Sequence, residues 1–479
     1  MKYIIGIDIG TSGLKLLVIN EDAEIVTKIL KDYPISNPQP KWSEQNPVDW
    51  WNAAKEGLSE LFKTLPLQSV CAIGLSGQMH GMVALDNNYN VIRPAILWND
   101  QRTKKQCDDI LRNAGGVDGM VNAINNTMLT GFTAGKILWM KENEPENYKK
   151  VKVIFNPKDY IAYKLTGNIA TDVSDASGTG LFDVENRVWS KTVIDAAGIN
   201  GSFLAPVFDS TQSVGTYKDI PVYIGGGDAV ISAAFLGNTA KKQVSVTVGT
   251  SGVVSIHKQN FYKNKNGLVQ FSCACIPDTY HIMGVTLAAA GSYKWFCEQF
   301  YAGDYKKADE DAEKSTVGAN GVMFLPYLSG ERCPVNDEKA TGCFIGLKTT
   351  TTNGDLARAV LEGVAFSLKE VFDLLDDETF SQIVISGGGS KSPLWKQIFA
   401  DVFTLPVVTL ESISEGSGFG AALVAGIGEG IFNNPKELSE KLKVNNKINP
   451  QKDDSEKYKS IFNKYKKLYI SLKNGGLFG

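Results

Sequence analysis

The sequence predicts an α/β protein of two similar domains, each built on a parallel sheet covered by helices, with ligand-binding turns presented to a shared cleft. Three observations predict it. The 479 residues, 43% of them hydrophobic, exceed the size at which one hydrophobic core usually stops growing. A strand, a Gly-Thr-Ser-Gly turn and a second strand occur twice, with the turns at 10–13 and 249–252. Between the repeats, strand-like and helix-like segments alternate.

In chain order, Tyr3 to Asp8 and Leu14 to Asn20 are β-rich runs around the first turn, which predicts a hairpin. A helix is expected from Val48 to Leu65, then strands from Val70 to Leu75 and from Met82 to Leu85. The domain boundary is expected near Asn238 to Gln243, dividing 1–240 from 241–479. Val244 to Val248 and Val253 to His257 form the second hairpin. Asp355 to Leu375 and Pro393 to Phe403 carry apolar residues at helical spacing, and the strand Ile383 to Ile385 lies between them. At the C-terminal end, 455–474 places Tyr458, Phe462, Tyr465, Leu468, Tyr469 and Leu472 on one stripe, as expected of a docked terminal helix.

Charge and composition exclude several function classes. The 49 basic and 52 acidic residues leave a net charge of −3, which gives no global field to recruit nucleic acid or an anionic membrane. No apolar run approaches the roughly 20 residues of a membrane helix. The start reaches an Asp and two Gly before a signal-peptide core could form, so the cytoplasm is the expected compartment. Seven Cys, at 71, 107, 273, 275, 297, 333 and 343, are scattered like buried thiols rather than a disulfide framework. Cys273 and Cys275 with His257 and His281 lack the two-pair spacing of a zinc site.

Chemistry concentrates in four places. In Asp8-Ile9-Gly10-Thr11-Ser12-Gly13, glycines allow a sharp turn that aims N–H groups outward, while Thr11 and Ser12 add hydroxyl donors for phosphate. Asp8, ending its strand, is the candidate Mg²⁺ ligand, directly or through water. An ordinary turn would also carry these residues, but its repetition at Gly249-Thr250-Ser251-Gly252 points to two hairpins gripping one polyphosphate. Secondly, Gly225-Gly226-Gly227-Asp228 runs a strand into a helix, so Asp228 either caps that helix or acts as a general base kept ionised by the helix end. Thirdly, Gln78-Met79-His80 between glycines offers hydrogen bonds to several hydroxyls and a flexible apolar wall. Lastly, Ser386-Gly387-Gly388-Gly389-Ser390 crosses from strand to helix and offers bare backbone to a flat nucleoside. Gly416-Ser417-Gly418-Phe419-Gly420 reads instead as close helix packing, and no Walker or Rossmann phosphate motif appears in context.

These residues belong to a longer series: GIDIGTSGLK from Gly6, WSEQNP from Trp42, GLSGQMHG from Gly74, ILWNDQR from Ile96, PKDY from Pro157 and SDASGT from Ser174. It continues with GGGD from Gly225, VTVGTSG from Val246, FLPYLSGER from Phe324, RAVLEGVAF from Arg358 and SGGGSKSPLWKQIFADV from Ser386. Across nearly the whole chain the series resembles the FGGY family of carbohydrate kinases, and its ketopentose-phosphorylating members most.

The resemblance implies two ribonuclease-H-like domains of the actin and hexokinase type, facing each other across an ATP and sugar cleft. It implies phosphorylation of D-xylulose by ATP with Mg²⁺. Asp228 would be the catalytic base, with the sugar among Gln78, Met79, His80 and Trp98. Gly10, Thr11, Ser12, Gly249, Thr250 and Ser251 would serve the phosphates, and Gly388 and Gly389 the adenosine. The partners implied are a sugar and ATP, without nucleic acid or membrane, and a homodimer stays open. Two departures bear on the sugar: Ala229 stands where such members carry Asn, and Phe271-Ser272-Cys273-Ala274-Cys275 lacks a family His. The alternatives are a related kinase for ribulose, gluconate or another polyol, and a non-enzymatic nucleotide-switched clamp.

Overall fold

The computed structural model describes residues 2–234, 242–265, 267–375, 379–411, 415–433, 438 and 443–478. Its contacts group the chain into two compact units, each assembled from three segments. The first comprises Met1–Phe235, His257–His281 and Glu415–Lys441; the second comprises Leu236–Ile256, Ile282–Ser414 and Leu442–Gly479. The boundary expected at 238–243 falls mostly on residues outside those described.

The large sheet of the first unit is built from β1 (Tyr3–Ile9), β2 (Gly13–Asn20), β3 (Ile25–Asp32), β4 (Val70–Gly77), β5 (Ser213–Tyr217) and β6 (Ile220–Gly227), in the order β5-β6-β4-β1-β2-β3, and the strand expected from Met82 to Leu85 forms at Val83–Leu85 in a separate two-stranded pair. β1 pairs antiparallel with β2 and parallel with β4, and β4 pairs parallel with β6. Both faces of β1 and β4 are covered, which is why these strands read as nearly continuous apolar runs. Helix Pro47–Leu61, capped by the Asn46 side chain, turns Trp50, Ala54, Leu58 and Leu61 toward one face of this sheet, among Ile5, Leu16 and Ile73. Trp50 is fully buried, and its truncation to Ala should cost about 3–5 kcal/mol.

The other face carries helix Gly416–Gly428. A Cβ at Gly6 would lie 1.9 Å from the Gly418 carbonyl oxygen, and one at Gly74 would lie 2.0 Å from that of Ala421. Backbone therefore meets backbone here, the close packing expected of the Gly-Ser-Gly-Phe-Gly stretch. A second apolar cluster of this unit, around Met82, Ile96, Ile110, Ile124, Ile137 and Met140, supports the helices between residues 104 and 143.

The other large sheet is built from β7 (Gln243–Val248), β8 (Gly252–Lys258), β9 (Gln270–Cys273), β10 (Tyr280–Thr286), β11 (Gln382–Ser386), β12 (Val407–Leu410) and β13 (Val444–Ile448). Its order is β9-β10-β8-β7-β11-β12-β13. β7 repeats the pattern of β1, antiparallel to its hairpin partner β8 and parallel to β11. Helices Asn353–Leu375 and Pro393–Phe403 form where their periodicity predicts. The terminal stripe packs as expected, with Tyr458, Phe462, Tyr465 and Leu468 buried, but it divides into Lys452–Tyr465 and Leu468–Asn474 rather than one helix over 455–474. Among the described residues no helix is long and apolar enough to cross a membrane.

Candidate active site

Because β1, β4 and β6 are parallel, the turns leaving their carboxyl ends gather at one edge of the first sheet, where ligands of open α/β sheets bind. Asp8 pairs with Ser76 and Ser76 with Gly226, so Asp8 and Asp228, two residues beyond Gly226, come to the same edge of the sheet from the two strands that flank β4. At Gly225 φ is 64°, and a Cβ would lie 1.7 Å from the Leu75 carbonyl oxygen. Only glycine lets the strand bend here against β4.

Gly227 is the N-cap of helix Asp228–Ala233, and Asp228 is its first residue, accepting the Ala229 amide at 2.7 Å. The sequence expectation that the helix end keeps this carboxyl ionised meets two stronger effects. Burial first, and the charge of Asp8 second, push it from 3.8 up to about 7. A carboxyl so poised takes a proton from an alcohol more readily than an ordinary aspartate.

Asp8 accepts a hydrogen bond from Ser417 Oγ at 2.6 Å on Oδ2, while Oδ1 is buried without a hydrogen-bond partner. Burial raises this carboxyl too, opposed by the Ser417 hydroxyl and the Lys15 ammonium. An unpartnered carboxylate oxygen at a strand end suits a hard divalent cation or its water shell. Among the described residues no group of three His, Cys, Asp or Glu side chains could hold a metal, so a cation at Asp8 would need phosphate and water for its other ligands.

The first turn is closed by Gly10 N–H donating to Gly13 O at 3.0 Å, and the Tyr33 hydroxyl donates to Gly10 O. The Thr11 hydroxyl donates to Gln78 Oε1 at 3.3 Å and accepts from Trp98 Nε1 at 3.0 Å. Gln45 Nε2 donates to Thr11 O at 2.8 Å, and Gln78 Nε2 donates to Gln45 Oε1 at 2.9 Å. Thr11, Gln78 and Trp98, expected to meet ligand separately, are thus brought into one network, in which the buried Gln78 directs its amide to Gln45 and Thr11. Ser12 is exposed.

Met79 packs against the residue before Asp228: a Cβ at Gly227 would lie 2.5 Å from its Cγ. The His80 Nδ1 lies 2.6 Å from Gly178 O, and its ring is 4.8 Å from that of Phe132. Behind Asp228, the Ser174 hydroxyl donates to Asp172 at 2.6 Å and accepts the Gly227 amide at 3.1 Å. The altered 271–275 stretch reaches the same place, since a Cβ at Gly226 would lie 2.3 Å from Cys275 Sγ. Ala229 is exposed beside Asp228.

In the second unit the ends of β7 and β11 open on a cavity of 660 Å³. Four expected nucleotide residues, Gly249, Thr250, Gly388 and Gly389, line it, together with Tyr293 and Trp395. Ser251 is exposed but outside this lining. The turn is held from behind, for Ala289 and Gly291 donate to Thr250 O and Ala290 donates to Gly249 O, at 2.8–3.1 Å. A Cβ at Gly388 would meet nothing within 4 Å, so this backbone stands open.

Sequence reasoning missed Ser417, Gln45 and Tyr33, and it missed Tyr293 and Trp395 as cavity walls. Gln45 lies in the WSEQNP motif and could have been found there. The contact of Ser417 with Asp8 spans about 400 residues and leaves no local signal.

Family models match this chain twice: the N-terminal domain of the FGGY family of carbohydrate kinases over residues 3–235, and its C-terminal domain over 244–429. The xylulose kinase of Staphylococcus xylosus is 38% identical over 98% of this chain and 100% of its own length. The crystal structure of xylulose kinase from Rhodospirillum rubrum superposes with a TM-score of 0.92 at 26% identity, covering 99% of both chains. A gluconate kinase from Lactobacillus acidophilus shares the fold, with a TM-score of 0.91 at 23% identity over 98% of both chains. The paired acids at the strand ends, the duplicated glycine turns and the full-length matches lead to one assignment: this chain belongs to the FGGY family of carbohydrate kinases.

Proposed function

We propose that the protein transfers the γ-phosphoryl group of ATP to D-xylulose, producing D-xylulose 5-phosphate and ADP. The observation that carries the chemistry is Asp228, a half-buried carboxyl at a strand end, poised near neutrality by burial and by Asp8. As the terminal hydroxyl oxygen of the sugar attacks phosphorus, its proton passes to Asp228, and the bond from phosphorus to the ADP oxygen breaks with its electron pair leaving on ADP. Met79, His80 and Trp98 hold the sugar, with Gln78 bracing the turn beside them. Gly10 and Ser12, with Gly249, Thr250 and Ser251, supply amides and hydroxyls to the phosphates. Gly388 and Gly389 lie against the nucleoside, whose base has the Tyr293 and Trp395 side chains available in the cavity. Mg²⁺ at Asp8 would offset charge on the phosphate oxygens.

D-xylulose is favoured because full-length relatives carry the xylulose kinase name and because QMHG is present. A second reading, a related kinase for ribulose, gluconate or another polyol, rests on Ala229 and on Cys275 beside Gly226. The fold does not choose between them, being shared about equally with a xylulose and a gluconate kinase. ADP release with ATP and Mg²⁺ is to be measured against D- and L-ketopentoses, gluconate, glycerol and a no-sugar control. Fastest turnover on D-xylulose is expected, preference for another sugar selects the second reading, and ATP hydrolysis indifferent to sugar would leave a nucleotide-switched clamp.

A further inference from the structure

We infer that Lys136 is a positioning residue for sugar recognition, its ammonium pinning together the two loops that carry His80 and Trp98. Lys136 is completely buried. Its Nζ donates to His80 O at 2.6 Å and to Gly131 O at 2.6 Å. Thr133 Oγ1, one helical turn earlier, donates to the same His80 oxygen at 3.1 Å. Gly131, at φ 103°, stands against the other loop, since a Cβ there would lie 2.5 Å from the Trp98 carbonyl oxygen.

His80 needs such a hold. It is a non-glycine residue at φ 64°, a conformation that persists only where the surroundings over-determine it. Two donors on its carbonyl, Gly178 O at its Nδ1 and the Phe132 ring against its imidazole fix both ends of the residue. Burying an ammonium with backbone carbonyls as acceptors is unfavourable, and burial pushes Lys136 down to about 7 against the pull of Asp100. A methionine of similar length would fill the space without that cost, so an amine kept here, with both His80 O and Gly131 O as its acceptors, points to the carbonyls it orients.

The inference rests on the reading of His80 as a sugar contact, and its test separates the two. Steady-state kinetics of the full-length protein with D-xylulose and ATP·Mg²⁺ are to be compared for wild type, Lys136→Met, His80→Ala and the double variant, with melting curves alongside. Lys136→Met is expected to raise KM for D-xylulose about 10–100-fold, the scale of a misplaced substrate contact. KM for ATP and the rate of sugar-independent ATP hydrolysis should stay at wild-type values. In the His80→Ala background the same substitution should add clearly less than it does in wild type, because one of the two sugar contacts it positions is gone. Should Lys136→Met fail to fold, Thr133→Val, which removes the other donor to the same carbonyl, is expected to raise the sugar KM several-fold by the same pattern.

An unchanged sugar KM, an equal rise in KM for ATP, or full additivity with His80→Ala would overturn the positioning role. A wild-type sugar KM in His80→Ala itself would instead remove His80 from the sugar site and take the inference with it.

Discussion

Replacing Asp228 by Asn should cut turnover sharply and at the same time stabilise the protein, and the pH dependence of the second effect is fixed by the titration of the carboxyl that is lost. The carboxyl is raised from 3.8 to about 7, so its charged form is held against the fold. At ~1.36 kcal/mol for each tenfold in proton affinity, the ceiling is about 4 kcal/mol. Asp228 is half-buried, and solvent screening brings a realistic figure to about 2 kcal/mol. Below pH 4 the group is protonated whether the chain is folded or not, and Asn gains nothing. Between pH 4 and 7 the unfolded chain ionises first, so the native protein loses stability progressively. Above pH 7 the full penalty applies. Asp228→Asn should therefore melt about 4 °C above wild type at pH 8, taking roughly 2 °C per kcal/mol for a unit of this size, and should coincide with it near pH 4. Turnover should fall about 10²–10⁴-fold with nucleotide affinity unchanged, and wild-type kcat/KM for sugar should rise with pH through about 7. Scanning calorimetry from pH 4 to 8 and the ADP-release assay measure both. A gain in Tm independent of pH, or wild-type turnover in the Asn variant, would refute the assignment of Asp228 as an electrostatically strained base.

Gly388→Val should leave the melting temperature within about 1 °C, because a Cβ there meets nothing, yet raise KM for ATP at least about 10-fold by filling the cavity wall; an unchanged KM for ATP would take Gly388 out of the nucleotide site. Ser417→Ala removes the hydrogen bond to Asp8 and should weaken half-saturation by Mg²⁺ about 10–100-fold, as loss of a ligand's supporting contact does; a superimposable Mg²⁺ titration counts against Asp8 as a cation ligand. Acid stability offers a further check. His257 and His281 are buried with no hydrogen-bond partner on any ring nitrogen, and burial lowers both, His257 to about 4. Above pH 6.5 they are neutral in either state, and as pH falls toward 4 the unfolded chain takes up their protons. His257 alone should remove up to about 3 kcal/mol over that range, so a His257→Phe variant should show a flatter Tm profile between pH 6.5 and 4; parallel profiles would exclude the pair as the cause.

The elements that were legible in the sequence are those whose identity is set locally. β1, β2, β7 and β8 follow from apolar runs around glycine turns, and helix Pro393–Phe403 from its proline start and periodicity. Asp228 was legible because three glycines deliver it to a helix start. The network that fixes Thr11 was not, because Gln45, Gln78 and Trp98 meet it from three separate loops. Nor was the return of the chain at 257–281 and 415–441 to the first unit. Gly416-Ser417-Gly418-Phe419-Gly420 announces close packing by its lack of side chains, but not the strand it packs on. The state of Asp228 also escaped, since a helix end is visible in a sequence and a second carboxyl across the sheet is not.

The duplicated hairpins carry the same four residues and still offer different chemistry, because what matters lies two residues earlier. Asp8 and Thr247 occupy that place in β1 and β7, and each stands opposite a serine of the adjoining parallel strand, Ser76 and Ser386. A glycine follows each serine. In the second unit the pair is neutral and satisfies itself, Thr247 Oγ1 lying 2.8 Å from Ser386 Oγ. In the first, a carboxylate replaces the hydroxyl, and one of its oxygens is left without a partner. A buried, unpartnered carboxylate oxygen costs stability unless a cation or a proton accompanies it, whereas a hydroxyl pair is indifferent to charge. The repeat therefore gives the second unit a turn that can admit a polyanion without opposing it, and gives the first a site that asks for positive charge. After burial, the charge of Asp8 also raises Asp228. The acid that suits a cation is thus also an acid that raises the proposed base, and Asp8→Asn should lower the apparent pKa of the sugar-dependent rate below about 7 while weakening the Mg²⁺ response.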